Sequence, residues 1–247
     1  MSCADIPDWY LRHHLAVLDL RSKAWRAARA ELLPPGYAPS VCARRLVAAG
    51  RLRRLEKGVY AVIDPVREIA PIALASGVFA DLPHYVTTDA ALAFHGLLDQ
   101  PIPTITVVLH RTRRPVEIGG AVVRPVVLGS KRFDAADAYR TTADGFPLAI
   151  AGREQAVIDA LAEPAWMVHG SLLPEVLAAF DDAELARTVD GVLARSIAAA
   201  QRLGYLLEDA GREPPPALAV LRPVRAVRLR PGRARSAPYS SRWRVYG

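Results

Sequence analysis

Residues 39–63, PSVCARRLVAAGRLRRLEKGVYAVI, decide the expected architecture of the first part of this 247-residue chain. The stretch predicts a short basic helix, a turn at Gly50 and a two-stranded ribbon whose tip is Lys57 and Gly58. Glycine suits both turns because it adopts positive φ angles without steric cost. A basic helix followed by a ribbon is the order of a DNA-recognition helix and its wing. The sequence therefore indicates nucleic acid as a ligand class.

The helix predicted over residues 40–49 has an apolar face and a polar face. Ser40 is expected to be its N-cap, because a serine oxygen can accept the free N–H groups of the first turn. Four residues at helical spacing are expected to face a core: Cys42, Ala43, Leu46 and Val47. Ser40, Arg44 and Arg45 then point outward. Since an arginine can bond both O6 and N7 of guanine, Arg44 or Arg45 is expected to read a base in the major groove.

The ribbon predicted after Gly50 continues the positive charge. Leu52 and Leu55 are expected to pack inward. The basic side chains are expected to hold phosphates: Arg51, Arg53, Arg54 and Lys57. Helices predicted over residues 7–20 and 22–33 precede this unit, so a winged helix-turn-helix domain is predicted over residues 1–65. The alternative that these residues leave open is a small domain with a solvated basic hairpin.

Charge is distributed unevenly along the chain. Residues 1–60 contain eleven Lys/Arg against five Asp/Glu, and residues 61–220 contain thirteen against twenty. Residues 221–247 contain eight arginines and no acidic residue. The net charge of +7 therefore arises from two cationic ends around an acidic middle. The cationic N-terminal part fits attraction to phosphate, and the cationic C-terminal part indicates a second basic surface.

The composition argues against several classes of protein. No run of eighteen apolar residues is present, and residues 1–20 lack the apolar segment of a secretory signal. A cytoplasmic protein with no membrane partner is therefore expected. Cys3 and Cys42 are the only cysteines, so no disulfide framework is expected and Cys42 is predicted to be a small core residue. The six histidines are scattered, so neither a metal site nor a cofactor is expected.

Residues 66–247 are predicted to form a mixed α/β domain, which makes the fold class of the whole chain α+β. The pattern predicts a strand over residues 104–110, hairpins around Gly119 and Gly145, and a long helix over residues 182–203. A terminal hairpin is predicted from residues 224–230 and 241–246, where apolar residues and arginines alternate. The alternation is expected to place four arginines on one exposed face: Arg228, Arg230, Arg242 and Arg244.

Six segments carry a resemblance to a known family. They are LVAAGRLRRLEKGVYAV (residues 46–62), YVTTDAALAFHGL (85–97), TITVVLHRTRR (104–114), DGFPLAIAGREQAVIDALAEP (144–164), RLGYLLE (202–208) and SRWRVYG (241–247). In this order and spacing they resemble the AbiEi-type antitoxins, the regulatory half of type IV abortive-infection toxin–antitoxin systems. The resemblance covers nearly the whole chain.

The resemblance implies a winged-helix domain that represses its own operon by binding double-stranded promoter DNA. It also implies a C-terminal domain that counteracts a nucleotidyltransferase-like toxin encoded nearby. The positions that match the DNA-binding part are Ser40, Arg44, Arg45, Arg51, Arg53, Arg54 and Lys57. Five arginines of the terminal hairpin match a basic face that could touch DNA, the toxin or the toxin's RNA substrate: Arg225, Arg228, Arg230, Arg242 and Arg244. The alternative function is a stand-alone transcriptional regulator or a protein-interaction module without a toxin partner.

An enzymatic function is not expected from the sequence. A restriction-like nuclease needs an acidic residue two positions before a lysine, and none of Lys23, Lys57 and Lys131 has one. Gly119 and Gly120 fit a hairpin turn rather than a phosphate-binding loop, and no G-x-S-x-G motif is present. No catalytic residue is therefore assigned.

Overall fold

The computed structural model describes residues 3–33, 36–134, 136–232 and 238–247. Over these ranges the chain forms α-helices and three β-sheets, which confirms the predicted α+β class. None of the helices in these ranges has both the length and the apolar composition needed to cross a membrane.

The N-terminal elements form a small antiparallel sheet with helices against it. After a 3-10 turn at Cys3–Asp5 they are α1 (Ile6–Arg12), β1 (Val17–Asp19), α2 (Lys23–Leu32), α3 (Pro39–Ala48), β2 (Leu52–Glu56) and β3 (Val59–Val62). The strand order is β1-β3-β2. The predicted start of α2 is confirmed, because Ser22 Oγ accepts the N–H of Trp25 at 3.0 Å and caps the helix.

The prediction of one helix over residues 7–20 is wrong. α1 ends at Arg12, His14 takes a φ of +55°, and Val17–Asp19 pairs with β3. A short apolar run such as residues 15–18 fits a helix and a strand equally well. Pairing with β3, which lies more than forty residues further along the chain, decides in favour of the strand.

Two details of the α3 prediction are also wrong. The N-cap is Ala38 and Pro39 is the first helical residue, so Ser40 lies inside the first turn and caps nothing. Proline suits this position because its missing N–H has no partner there in any case. Val47, which was expected in the core, is 37 % exposed. The other three core positions of the helix are buried as expected.

The inner face of α3 belongs to a single hydrophobic cluster. Its members are Ile6, Tyr10, Leu18, Trp25, Ala28, Leu32, Cys42, Ala43, Leu46, Leu52, Tyr60 and Val62. Cys42 is disulfide-bonded to Cys3, with the two Cα atoms 5.6 Å apart. The expectation of unpaired cysteines is therefore wrong: the 3-10 turn packs against α3 and brings together two residues that are 39 positions apart.

The later elements include a six-stranded sheet of order β6-β7-β5-β4-β9-β8. They are α4 (Pro71–Val78), β4 (His84–Thr87), α5 (Thr88–Phe94), β5 (Thr104–Leu109), β6 (Val116–Ile118), β7 (Ala121–Val127), α6 (Ser130–Asp134), β8 (Ala138–Ala143), β9 (Phe146–Ala151), α7 (Arg153–Ala162) and α8 (Leu173–Ala178). β6 and β7 are antiparallel, whereas β4 and β9 are parallel. The two predicted hairpins are confirmed as the neighbouring pairs β6–β7 and β8–β9.

The C-terminal elements differ from the prediction in two places. They are α9 (Asp182–Arg195), α10 (Ile197–Asp209), α11 (Pro216–Ala219), β10 (Val227–Arg228), β11 (Tyr239–Ser240) and β12 (Val245–Tyr246). The predicted long helix breaks at Ser196, whose extended backbone ends α9 and whose Oγ accepts the Ala199 N–H at 3.1 Å. The terminal hairpin is also wrong: β10 and β12 pair in parallel, and β11 takes the antiparallel position beside β12.

The chain divides into two compact units. The first comprises Met1–Val86, Val107–Leu128 and Tyr139–Ile150, and the second comprises Thr87–Thr106, Gly129–Ala138 and Ala151–Gly247. This division does not follow the predicted boundary between residues 65 and 66. The reason is that later elements join the N-terminal ones in the first unit, where β6 lies beside β2 and α4 lies beside β1.

Candidate nucleic-acid interface

The C-terminal end of α3 is closed by the turn that the sequence predicts at Gly50. Gly50 has a φ of +69° and donates its N–H to Val47 at 3.0 Å, and Arg51 donates its N–H to Leu46 at 2.9 Å. These two bonds form a Schellman motif, which requires a left-handed residue and therefore favours glycine. The motif ends the helix and directs the chain into β2.

The outer face of α3 exposes Ser40, Arg44 and Arg45. The guanidinium carbon of Arg45 lies 5.4 Å from the ring centroid of Tyr37, which is itself 42 % exposed. A cation–π contact of this kind limits the rotamers of the arginine. Among the described residues Arg44 has no acidic partner. The helix therefore presents one arginine that is held by an aromatic ring and one that is free to turn.

The β2–β3 hairpin carries the remaining predicted cations. Arg53 pairs with Ala61 and Arg54 with Tyr60, and a bulge follows before Glu56 pairs with Val59. Arg53, Arg54 and Lys57 are exposed. Lys57 precedes Gly58, whose φ of +80° closes the turn. The hairpin thus holds three solvent-accessible cations within five residues.

Arg51 is placed differently from the other predicted basic residues. Its guanidinium forms an ion pair with Asp8 of α1, and its side chain is 32 % exposed. Its Nε is buried without a hydrogen-bond partner among the described residues. Arg51 therefore joins α1 to the start of the hairpin, and its charge is largely balanced within the protein.

A small ion cluster holds the tip of the hairpin. Arg21 contacts Asp19 at 3.0 Å and Glu56 at 2.9 Å, so one guanidinium bridges the end of β1 and the end of β2. The hydrogen bonds that Arg21 donates to Asp19 and, to a smaller extent, to Glu56 raise the pKa of Arg21 above its usual value. Glu56 is thereby paired with Arg21 rather than with the basic side chains of the hairpin.

Two further cations, which were not predicted from the sequence, lie beside the hairpin. Arg113 and Arg114 are exposed in the loop before β6, and they line a groove of about 420 Å³ together with Arg21 and Glu56. Neither has an acidic partner among the described residues. The run HRTRR at residues 110–114 was the available signal. What the sequence did not show is that β6 lies beside β2.

The predicted second basic surface is partly neutralised by neighbouring groups. Arg242 lies 3.6 Å from Glu208 and 4.9 Å from the centroid of the Trp243 ring, and Arg244 donates to the carbonyl of Val224. Four of the five arginines are exposed, and Arg230 is half-buried. The surface is assembled by the three-stranded sheet of β10, β12 and β11 rather than by the predicted hairpin.

Asp89 and His95 of the second unit have structural partners. Asp89 is buried and accepts from the backbone N–H of Val168 at 2.9 Å and from both the backbone N–H and Nδ1 of His169 at 2.8 Å. His95, at the end of α5, contacts the carbonyl of Ala151 through Nε2 at 2.9 Å. Across the described ranges, no three His, Cys, Asp or Glu side chains converge as metal ligands.

Comparison with known proteins gives a similarity at the level of the fold. No family model matches the chain, and no curated protein matches it in sequence. Among solved structures, the chain is similar to the crystal structure of the RV2827C protein from Mycobacterium tuberculosis, with a TM-score of 0.65 and 20 % sequence identity. The similarity covers 98 % of this chain and 90 % of that chain. At this level of identity it concerns the fold alone.

Proposed function

We propose that the protein is a DNA-binding transcriptional autorepressor that also acts as the antitoxin of a nucleotidyltransferase-like toxin. The observation that carries the DNA-binding part is the succession of α3 and the β2–β3 hairpin, each with uncompensated arginines on its exposed side. The element order α1-β1-α2-α3-β2-β3 supports the interpretation of residues 1–65 as a winged helix-turn-helix, with α3 as the recognition helix.

In this proposal α3 enters the major groove with its N-terminal half toward the bases. The small side chain of Ser40 allows close approach, and Arg44 or Arg45 bonds a guanine. The contact between Arg45 and Tyr37 supports the choice of Arg45, because a side chain that is already ordered loses less conformational entropy on binding. We expect Arg45→Ala to weaken binding to the operator by about 1–3 kcal/mol and to relax the preference for one base pair.

The hairpin supplies phosphate contacts in this proposal. Arg53, Arg54 and Lys57 have no acidic partner in the part of the chain that the structure describes, so each contact with DNA displaces a counterion. Lys57→Ala is expected to weaken binding to all sequences about equally and to lower the slope of log K against log salt by about 1. Arg51→Ala is expected to act through stability rather than through the salt slope, because Asp8 already balances its charge.

The experiment is a binding titration with the protein's own upstream DNA and with a scrambled duplex, each at two salt concentrations. The test variant is Arg44→Ala/Arg45→Ala, and the matched control is Arg187→Ala/Arg222→Ala, which removes the same charge from exposed positions of the second unit. We expect sequence preference to be lost in the first variant and kept in the second. Binding that is weak, equal for both duplexes and unchanged in both variants would overturn the proposal.

The antitoxin part rests on the resemblance of the six sequence segments. It is tested by co-expression with a neighbouring nucleotidyltransferase-like gene. If the product of that gene inhibits growth, we expect this protein to restore growth. Rescue that survives Arg44→Ala/Arg45→Ala would separate neutralisation from repression. If DNA binding is present and no neighbour is neutralised, the alternative of a stand-alone regulator replaces the antitoxin.

A further inference from the structure

The second unit contains a cationic pocket that the proposed function does not use. It has a volume of about 230 Å³ and lies among α6, α7 and α9. Its charged lining residues are Lys131, Arg132 and Arg195, and none of its lining residues is acidic. A pocket with three positive charges and no carboxylate in its wall favours an anionic ligand.

Arg195, the last residue of α9, is the most constrained of the three cations. Its side chain is 7 % exposed, and its one ion pair is a 3.4 Å contact between Nη2 and Oδ1 of Asp159. Its Nε is buried and has no hydrogen-bond partner among the described residues. A guanidinium has five N–H donors, and buried donors without acceptors are costly. The Arg195 side chain thus has hydrogen-bonding capacity that the described part of the protein does not use.

Asp159 is held in place by two further donors. Thr87 Oγ1 donates to one oxygen at 2.8 Å, and Gln155 Nε2 donates to the other at 2.9 Å. Gln155 is itself fixed, since its Oε1 accepts the backbone N–H of Asp137 at 3.1 Å. This network fixes the position of the carboxylate that Arg195 contacts. The N–H groups of Arg195 that face the pocket stay available to a ligand.

Lys131 and Arg132 provide the outer charges of the pocket. Both are exposed on α6, and neither has an acidic partner among the described residues. The acidic residues nearest in sequence, Asp134 and Asp137, are not part of the pocket wall. The two outer cations can therefore swing toward an anion without breaking an existing ion pair.

Small residues keep the pocket open. Ala136, Gly191 and Ala194 contribute no bulk to its wall. A Cβ atom on Gly191 would lie 2.2 Å from Cδ1 of Ile158, so α9 approaches α7 closely at this point. The close packing sets the position of the following turn, in which Ala194 and Arg195 face the pocket.

We propose that this pocket binds a phosphoryl group, either as inorganic phosphate or as the terminal phosphate of a nucleotide. The planar fork of Arg195 suits two oxygens of one phosphate, and the flexible charges of Lys131 and Arg132 close over the others. The size of the pocket admits a phosphate with part of its ester group. The proposal does not depend on DNA binding by the first unit.

The test is a titration of the full-length protein with inorganic phosphate and, separately, with a nucleoside monophosphate, followed by calorimetry. Sodium chloride at equal ionic strength serves as the reference. We expect saturable binding that is at least tenfold weaker in Lys131→Met/Arg132→Met, both of which change exposed residues and leave the fold intact. Arg195→Lys, which retains the charge but loses the fork, is expected to weaken binding as well.

The matched control is Arg26→Met/Arg29→Met, which removes two exposed charges from α2 of the first unit and is expected to leave phosphate binding unchanged. Tighter binding of the nucleotide than of phosphate identifies the ester as the source of the phosphoryl group, and the reverse identifies the free ion. No saturable binding above the chloride reference, or binding that Lys131→Met/Arg132→Met retains in full, overturns the proposal.

Discussion

The disulfide between Cys3 and Cys42 should contribute a large share of the stability of the N-terminal elements. It closes a loop of 39 residues that contains α1, β1 and α2. In the chain-entropy description a loop of this length removes about 13 cal/mol/K from the unfolded chain, or about 4 kcal/mol at 25 °C. A compact unfolded state reduces this value, so we expect a loss of about 2–4 kcal/mol on reduction.

The assay is hydrogen exchange in peptides from α1 to β3, measured with and without a reductant. Since about 1.4 kcal/mol corresponds to a factor of ten, the slowest amides should exchange between about thirtyfold and several hundredfold faster after reduction. Cys3→Ser should exchange as fast as the reduced protein and should not respond to the reductant. Cys3 is the better position to change, because Cys42 is buried in the core.

Two results would refute this reasoning. One is equal exchange in the oxidised and reduced protein, and the other is a Cys3→Ser variant as protected as the oxidised protein. Cys42 is buried, whereas Arg44 and Arg45 are exposed. Reduction under conditions where the fold persists should therefore leave the affinity for DNA unchanged.

Three further changes have expected effects on stability. Gly204→Ala should destabilise the protein by about 1–3 kcal/mol, because a Cβ there would lie 2.3 Å from the ring of Trp243, which is buried. Tyr10→Phe should leave the free energy of unfolding unchanged or raise it by about 1 kcal/mol, because the Tyr10 hydroxyl is buried without a hydrogen-bond partner among the described residues. Burial lowers the pKa of His84 below the ordinary 6.5, so the unfolded chain takes up a proton at a higher pH than the folded protein. The free energy of unfolding should therefore fall as the pH drops below about 6.5, and His84→Gln should flatten that pH dependence.

Denaturant unfolding measures the free energy of unfolding of all three variants, and for each variant one outcome would contradict the prediction. The matched control for Gly204→Ala is Gly129→Ala, where an added Cβ meets no atom within 4 Å, and equal stability of the two variants would argue against the steric reasoning. A Tyr10→Phe variant that is less stable by more than about 1 kcal/mol would show that the hydroxyl has a partner. A pH profile that is the same with and without His84 would assign the acid sensitivity to other groups.

Both ring nitrogens of His84 have a hydrogen-bond partner, which fixes the position of the hydrogen on the neutral ring. Its Nδ1 lies 2.8 Å from the carbonyl of Leu82, which can only accept, so Nδ1 carries the hydrogen of the neutral ring. Ser76 Oγ lies 2.8 Å from Nε2 and therefore donates to it. Burial is the largest cause of the lowered pKa of His84; the bond to Leu82 opposes it, and the charge of Arg140 lowers the pKa further.

The sequence by itself determined the elements whose signals are local. The Ser22 cap, the apolar spacing of α2 and the glycines at positions 50 and 58 act within a few residues, and α2, α3 and the β2–β3 hairpin lie where these signals predict them. The exposed cations of α3 and the hairpin follow from the same periodicity, because a residue opposite a buried stripe must face water.

Only the tertiary structure decided the features that depend on distant partners. Residues 17–19 are a strand because β3 offers them hydrogen bonds. The last strands form a sheet in which β12 pairs in parallel with β10 and antiparallel with β11, in place of the predicted hairpin. The ion pair of Arg51 with Asp8 joins residues 43 positions apart. Arg113 lies beside the hairpin for the same reason, because β6 packs next to β2 in the folded chain. No local pattern encodes such pairings, since their free energy arises only when the chain has already brought the partners together.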